Sequence, residues 1–360
     1  MHITTLFERK KHSVMSTTQR QILRGVSRSF DLTIRLLPGA LQTPVATGYL
    51  LARATDTVAD TAALPLAERH VLLNLMSQVI DDRDPSAEHH RELARLTQAF
   101  SAQQTDPHER ALMQALPQCL SLLCTLGEAD QGSVRWVLRH ITKGQQQDMD
   151  RFGLGPQKLQ TLDTEAELDS YTWLVAGCVG EFWTELCGRH LPGYAQLPQT
   201  EMMQIGRQYG MGLQRLNIVR DAGADLAAGR CYWPAETLAT VGLTPQLLAQ
   251  AAQTGHPETL HTLMPLYAQW LDRTQAQLAE GMRYALALKP LRLRLATALP
   301  ALIGARTIAL LRQAGPMALS HRVKMPRQEM RRLMWHITLG WASPSTLAKQ
   351  FRQLSGDTPA

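Results

Sequence analysis

Apolar side chains recur every three to four residues along most of this 360-residue chain. That spacing places them on one face of an α-helix, whereas the alternating pattern of half-buried strands does not occur. The pattern therefore predicts an all-α fold, with loops at the Pro- and Gly-rich stretches GLGPQK and LPGYAQLPQ. The predicted helices are Thr17–Gly25, Ala40–Ala59, Leu66–Asp81, Glu88–Phe100, Glu109–Leu126, Glu128–Asp150, Glu165–His190, Glu201–Ala227, Pro245–Gln253, Glu258–Leu288, Leu291–Gln313 and Gln328–Leu339.

The helices are predicted to form one large domain over residues 16–340. A mobile tail is expected at 1–15, and a C-terminal helix and tail at 341–360. The composition, 44% hydrophobic and 19% charged, is that of an ordinary soluble protein with a large core. The most apolar stretch, Leu295–Leu311, is interrupted by a proline and an arginine, so we expect a buried core helix and not a membrane span. The N-terminus lacks the apolar core of a secretion signal, and a cytoplasmic protein is expected.

Charge and cysteine content indicate which ligands and partners the protein is expected to bind. The 37 Lys and Arg residues outnumber the 31 Asp and Glu residues, and the net charge of +6 mildly favours anionic ligands or membrane surfaces. The basic residues are dispersed and no nucleic-acid-binding motif occurs, so nucleic acid is not expected as a partner. Five cysteines without a CxxC pair predict reduced, mostly buried thiols. His256 and His261 are five residues apart and do not share a helical face, which argues against zinc.

Two short acidic stripes give the strongest chemical signal. In NIVRDAGAD, Asn217, Asp221 and Asp225 recur every four residues, and in ATDTVAD so do Asp56 and Asp60. Four residues advance a helix by about 6 Å, so the side chains of each stripe project from adjacent turns on one side. Their neighbours are apolar or small, and buried carboxylates are costly unless they are paired or bind metal.

Carboxylate pairs of this kind suit Mg²⁺, which takes one or two protein carboxylates and completes its shell with water and phosphate oxygens. Two facing stripes would then hold a diphosphate through bridging ions, with Arg53, Arg220 and Arg230 close in sequence. Ionisation of an allylic diphosphate uses this chemistry, in an apolar cavity that protects the carbocation from water. A structural lattice of salt bridges is the alternative interpretation. The predicted wall of the cavity includes Val175, Val179, Met211 and Leu213.

Taken together, these motifs resemble the squalene and phytoene synthase family from about Gln21 to Met334. The segments that carry the resemblance are SRSF at Ser27–Phe30, Tyr49 with ARATDTVAD, YTWLVAGCVGEF at Tyr171–Phe182, GLQRLNIVRDAGADLAAGRCYWP at Gly212–Pro234 and SHRVKMPR at Ser320–Arg327. The resemblance implies head-to-head joining of two prenyl diphosphates on the isoprenoid-synthase fold, a helical bundle around a central cavity. Ala59 and Ala224 stand where the family usually has glutamate, while the four stripe aspartates are intact.

The resemblance also implies roles for individual residues. Tyr171 matches a tyrosine near the reacting carbons that is implicated in proton removal. The implied metal ligands are Asp56, Asp60, Asn217, Asp221 and Asp225, and the four aspartates form the expected catalytic set with Arg53 and Tyr171. Positions that hold the diphosphate or line the cavity are matched by Ser27, Arg28, Ser29, Tyr49, Arg53, Gln214, Arg220, Arg230 and Tyr232.

Two segments favour the squalene branch of the family. RCYWP resembles the R-x-F-W-P of squalene synthases, and HRVKMPR resembles a V-K-I-R-K segment that contributes to NADPH binding. Lys324 and Arg327 would supply cations to the cofactor, outside any Rossmann fold because no GxGxxG occurs. Pro326 and Ala296 depart from the squalene pattern, and a solvated helix start is the alternative interpretation of Lys324 and Arg327.

The expected function is Mg²⁺-dependent condensation of two farnesyl diphosphates to presqualene diphosphate, followed by NADPH-dependent reduction to squalene. Phytoene, dehydrosqualene and hydroxysqualene synthases are the alternatives within the family. A non-catalytic assembly factor of the same fold is the alternative from another class, although such relatives tend to lose the acidic motifs. Any membrane contact is expected to be peripheral, because the substrate tails are apolar and the C-terminus offers no anchor.

Overall fold

The computed structural model describes residues 15–27, 30–61, 64–338 and 343–356, which are helical almost throughout and confirm the all-α prediction. The helices are α1 (Thr17–Ser27), α2 (Phe30–Leu36), α3 (Gly39–Asp60), α4 (Leu66–Asp81), α5 (Ala87–Gln103), α6 (Pro107–Gln114), α7 (Leu116–Thr125), α8 (Glu128–Phe152), α9 (Glu165–Thr172), α10 (Cys178–His190), α11 (Gln199–Ala227), α12 (Ala235–Ala239), α13 (Pro245–Thr254), α14 (Pro257–Ala287), α15 (Leu291–Ala314), α16 (Arg327–Thr338) and α17 (Pro344–Ser355). Short 3₁₀ turns occupy Gly155–Gln157 and Gly315–Leu319, and a π-helical segment spans Trp173–Gly177. Two short strands, β1 (Gln160–Thr161) and β2 (Arg230–Cys231), pair in parallel.

Two helices that were predicted to be continuous are each interrupted in the structure. The stretch predicted as Glu109–Leu126 is divided into α6 and α7 at Ala115, because Pro117 lies in the first turn of α7 and cannot continue a preceding helix. The stretch predicted as Glu165–His190 is interrupted by the π segment between α9 and α10. Helices α2 and α12 were not predicted at all.

The core consists of two apolar clusters that meet along the middle of the bundle. One is built mainly on α3, α4, α7, α8 and α10, and the other on α11, α14, α15 and α17. Helix α15 is apolar and long enough to cross a membrane by length and composition, but 72% of its apolar window is buried inside the protein, as expected for a core helix. The five cysteines are all free, and four of them are buried while Cys124 is exposed.

Small residues allow α11 to approach the π segment and α10 closely. A Cβ atom at Gly180 would overlap the carbonyl group of Gly206, and one at Gly210 would overlap that of Ala176. Beside this contact, the π segment carries Val175 into the interior, where it lines two cavities. An i→i+5 segment inside a helix often marks a functional site. Here it lies directly beside the cavity that the acidic stripes share.

Candidate active site

Both acidic stripes open into one cavity of 510 Å³, which we call the diphosphate cavity. Asp56 and Asp60 reach it from α3, and Asp221 and Asp225 reach it from α11. Stripes that are far apart in sequence therefore converge in space. The predicted site residues that line this cavity are Tyr49, Arg53, Asp56, Asp60, Tyr171, Gln214, Asn217, Asp221, Asp225, Arg230 and Tyr232.

Arg53 holds the first stripe in place. Its guanidinium donates hydrogen bonds to Asp56 and, from its other terminal nitrogen, to Glu109 on α6. Burial and the neighbouring Asp60 carboxylate raise the pKa of Asp56 to about 7, although Arg53 opposes the change. The Nε of Arg53 is buried and has no partner among the described residues. A buried N–H without an acceptor is costly, and an anion in the cavity would satisfy it.

Arg230, on β2, lies beside the second stripe, as Arg53 lies beside the first. Its Nε lies 3.7 Å from Oδ1 of Asp225, and its Nη1 lies 3.9 Å from Oδ2 of Asp148. These separations are longer than hydrogen bonds, and the buried Nε has no hydrogen-bond partner within the part of the chain that the structure describes. Burial raises the pKa of Asp225 to about 7, with Arg230 opposing and the other carboxylates adding to the rise.

The diphosphate cavity contains more negative charge than its own arginines neutralise. Its lining includes five carboxylates but only two guanidinium groups: Asp56, Asp60, Asp148, Asp221 and Asp225 against Arg53 and Arg230. The raised pKa values of Asp56 and Asp225 are the physical consequence of this crowding in a buried place. A cation bound among these oxygens would relieve the repulsion.

The donor set fits Mg²⁺ together with a phosphate ligand. The acidic and amide side chains offer hard oxygen ligands of the kind that Mg²⁺ prefers. Within the described ranges no three His, Cys, Asp or Glu side chains lie close enough to hold an ion by themselves. An ion bound by one stripe would therefore complete its shell with water and diphosphate oxygens.

A stacked pair of tyrosines forms a third wall, next to a carboxylate that sequence reasoning missed. The rings of Tyr171 and Tyr232 stack with their centroids 5.2 Å apart. The Tyr232 hydroxyl donates a hydrogen bond to Asp148 on α8, and Tyr171 lines the cavity together with both of these residues. Burial raises the pKa of Asp148, although its contact with Tyr232 and the charge of Arg230 act against the rise.

Asp148 escaped detection because it belongs to no stripe. In QQQDMD it has no second acid four residues away, so the pattern resembles a solvated helix face. Its neighbours Gln145, Met149 and Phe152 are nevertheless buried in the structure. The signal that could have found it is an acid on the apolar face of α8.

A smaller apolar cavity of 200 Å³ continues from the diphosphate cavity, and we call it the tail cavity. Val175 and Val179 line both, and Leu213 lines the tail cavity, as predicted for a wall beside a carbocation. The prediction for Met211 is wrong: it lines neither cavity and packs against Gly177. Aromatic and small residues complete the tail cavity, including Phe30, Trp183, Tyr209, Tyr284, Ala296 and Pro300.

Two predicted diphosphate-binding residues, Ser27 and Arg220, do not line the cavity, and two more were predicted outside the described residues. Arg220 pairs with the adjacent Asp221 carboxylate and is not part of the lining. Ser27 is buried at the end of α1, and its hydroxyl has no partner among the described residues. Arg28 and Ser29 lie outside the described residues.

Lys324 and Arg327 lie away from this centre, between the last 3₁₀ turn and α16. Both side chains are exposed, and neither lines the diphosphate cavity or the tail cavity. Their arrangement fits a solvated segment better than a nucleotide pocket. Any part that these two residues have in binding NADPH therefore lies outside both cavities.

Comparison with known proteins agrees with this architecture. A family model described as squalene/phytoene synthase matches residues 23–329. Squalene synthase ERG9 of Saccharomyces cerevisiae is 29% identical over 217 residues, which cover 60% of this chain and 45% of that protein. A bifunctional lycopene cyclase/phytoene synthase of Colletotrichum graminicola is 29% identical over 226 residues, which cover 61% of this chain and 34% of that protein.

The chain thus aligns with less than half the length of these curated relatives. Among solved structures, a ligand complex of TcSQS matches with a TM-score of 0.70 at 19% sequence identity. The match covers 95% of this chain and 92% of that chain, and it shows that the fold is shared.

Proposed function

This chain belongs to the squalene/phytoene synthase family, and we propose that it joins two farnesyl diphosphates head to head to give presqualene diphosphate. The observation that supports this proposal is the meeting of both aspartate stripes, Arg53 and Arg230 in one cavity that continues into an apolar one. The polar cavity suits a metal-bound diphosphate, and the apolar cavity suits the prenyl tail and its cation.

Ionisation of the first substrate would take place between the stripes. Bound Mg²⁺ supplies positive charge that stabilises the departing diphosphate. Arg53 and Arg230 would donate their unpaired Nε hydrogens to phosphate oxygens, as charge-assisted bonds. Val175 and Val179, which line both cavities, would face the allylic cation and exclude water from it.

Ring formation would follow in the same place. The double bond of the second substrate attacks C1 of the first farnesyl cation. Loss of a proton from that carbon then lets it form its second bond and close the cyclopropane. We assign proton removal to Tyr171, whose side chain lies one helical turn from Val175 and lines the diphosphate cavity.

We propose squalene as the final product, with NADPH supplying the hydride. This assignment rests on the resemblance of Arg230–Pro234 and residues 321–327 to squalene synthases. Relatives from both the squalene and the phytoene branches match this chain at 29% identity, so dehydrosqualene, phytoene and hydroxysqualene synthases are the competing proposals.

Product analysis tests the proposal. The purified protein would be incubated with farnesyl diphosphate and Mg²⁺, with and without NADPH, and the products identified by mass spectrometry. We expect squalene with NADPH and accumulation of presqualene diphosphate without it. A polyene or alcohol formed equally in both reactions would replace squalene as the product. Absence of diphosphate release from any prenyl diphosphate would contradict the enzyme assignment and favour a non-catalytic role.

Substitution of the stripes tests the metal assignment. Asp56→Ala and Asp221→Ala should each abolish diphosphate release while the protein stays folded, because each removes one oxygen ligand from the site. Asp163→Ala is the matched control, since Asp163 is 70% exposed and lies outside the diphosphate cavity. Full turnover by either stripe variant would reject the assignment.

A further inference from the structure

A third cavity, of 420 Å³, lies on the far side of Tyr171 and Asp148 from the diphosphate cavity, and we call it the side cavity. Among the described residues, Tyr171 and Asp148 are the two that line both cavities. Gln147, Asp150 and Ser170 lie on the rim of the side cavity and are exposed. Tyr171 and Asp148 therefore stand between the diphosphate cavity and a second space that reaches solvent.

Ring closure under the proposed function releases a proton that must leave the reaction site. Burial raises the pKa of Tyr171 well above that of a free tyrosine, so its hydroxyl stays protonated at neutral pH. A protonated phenol accepts a proton only if it gives up its own at the same time. The group that receives this second proton must touch the Tyr171 hydroxyl.

Asp148 is placed to receive it. Its carboxylate lies beside Tyr171 on the wall that both cavities share, and it accepts a hydrogen bond from Tyr232, which stacks on Tyr171. Arg230 lies 3.9 Å away, beyond hydrogen-bonding distance, so the carboxylate is not locked in a tight ion pair. Its side chain is 18% exposed, and it also lines the side cavity.

We propose that Asp148 is the acceptor of the proton lost in ring closure and that this proton leaves through the side cavity. The inference rests on the proposed function. The C1–H bond breaks, and its electron pair forms the closing C–C bond of the cyclopropane. The proton joins the Tyr171 oxygen as the Tyr171 hydroxyl proton passes to Asp148, directly or through Tyr232. The resulting carboxylic acid then releases its proton to water in the side cavity.

The variant Asp148→Asn tests this step, because it keeps the shape of the side chain and removes its basicity. The assay uses the whole protein with Mg²⁺ and farnesyl diphosphate carrying ¹⁸O in the bridging position. Ionisation followed by return scrambles this label, so scrambling reports ionisation separately from ring closure. A second substrate, deuterated at C1, reports whether breaking the C–H bond limits the rate.

We expect presqualene diphosphate formation to fall by about 10²- to 10⁴-fold in Asp148→Asn, the usual range for loss of a general base. Scrambling should continue at the wild-type rate, and the deuterium isotope effect at C1 should increase. Asp163→Asn, the same substitution at an exposed site, should change none of these measurements. Ser170→Trp would fill the rim of the side cavity, and we expect it to increase the solvent isotope effect on ring closure.

Different results would overturn the inference. Equal losses of scrambling and product with an unchanged isotope effect would make Asp148 a structural or electrostatic residue. Normal ring closure in Asp148→Asn would assign the proton to the departing diphosphate, and wild-type behaviour of Ser170→Trp would reject the exit route. If the wild-type protein neither scrambles the label nor forms product, then the proposed function fails instead.

Discussion

Removing one carboxylate from the diphosphate cavity should stabilise the metal-free protein. Asp225 is buried on α11 near three other acids of the cavity, and its pKa is raised from 3.8 to about 7. A raised pKa means that the folded state disfavours the ionised form. The variant Asp225→Asn keeps the size of the side chain and removes the charge, so we expect it to unfold less readily than the wild type at neutral and alkaline pH.

The pKa shift sets the size and the pH range of this effect. About three pKa units correspond to about 4 kcal/mol when Asp225 is fully ionised. Its side chain is 20% exposed and partly screened by water, so we expect a difference of about 2–4 kcal/mol. Below about pH 4 both states of the wild type are protonated. As the pH rises from about 4 to 7, the unfolded chain ionises first, so wild-type stability falls, and the loss is complete above about pH 7.

Urea unfolding in EDTA between pH 4 and pH 8 measures the difference. The stability advantage of Asp225→Asn should grow with pH across that range, while the exposed control Asp163→Asn should stay close to the wild type. Mg²⁺ with inorganic diphosphate should reverse the order, because a ligand that binds only the intact site stabilises only the wild type. A variant less stable than the wild type at pH 8, or an advantage independent of pH, would refute the reasoning.

Three further predictions follow from the packing around the site. Gly210→Ala should lower the free energy of unfolding by about 1–3 kcal/mol, because its new methyl group meets a backbone carbonyl. Gly132→Ala is the control and should not destabilise α8, because there is open space around Gly132. Thermal unfolding of the two variants compares them. Arg215→Met removes the buried partner of Asp169 and should cost no more than about 1 kcal/mol in urea unfolding, because Asp169 is 40% exposed and keeps its ion pair with Arg273; a larger loss would show that the fold depends on the Arg215 pair. Tyr171→Phe should slow ring closure by at least about 10²-fold while ¹⁸O scrambling persists, and parallel losses of both would contradict its assignment.

Helix positions could be predicted where local signals mark both ends. The observed bounds of α4, Leu66–Asp81, agree with the prediction, because Pro65 precedes its first turn and the polar stretch DRDP follows its last residue. Helix α2 has only seven residues, too few for a 3.6-residue period to stand out. The π segment is invisible in the sequence, because nothing in WLVAG distinguishes an i→i+5 turn from a regular α-helical turn.

The residues of the candidate site, likewise, could be predicted only where their signal lies within one helix. Each acidic stripe lies within one helix, so spacing alone identified Asp56, Asp60, Asp221 and Asp225. Asp148 has no such repeat and joins the site only through the packing of α8 beside β2. Similarly, nothing in the local sequence distinguishes Met211 from its neighbour Leu213, although only Leu213 lines the tail cavity.

The π segment also determines how this region tolerates insertions and deletions. Tyr171, Val175 and Val179 all face the reaction site at intervals of four residues, and the wide turn between α9 and α10 keeps them aligned. A regular α-helix rotates by about 100° per residue, so deletion of one residue from 173–177 would turn one end of the segment relative to the other. The phenol and the aliphatic wall would then point in different directions, and a chain that shortened this turn would keep its helices while losing their shared orientation.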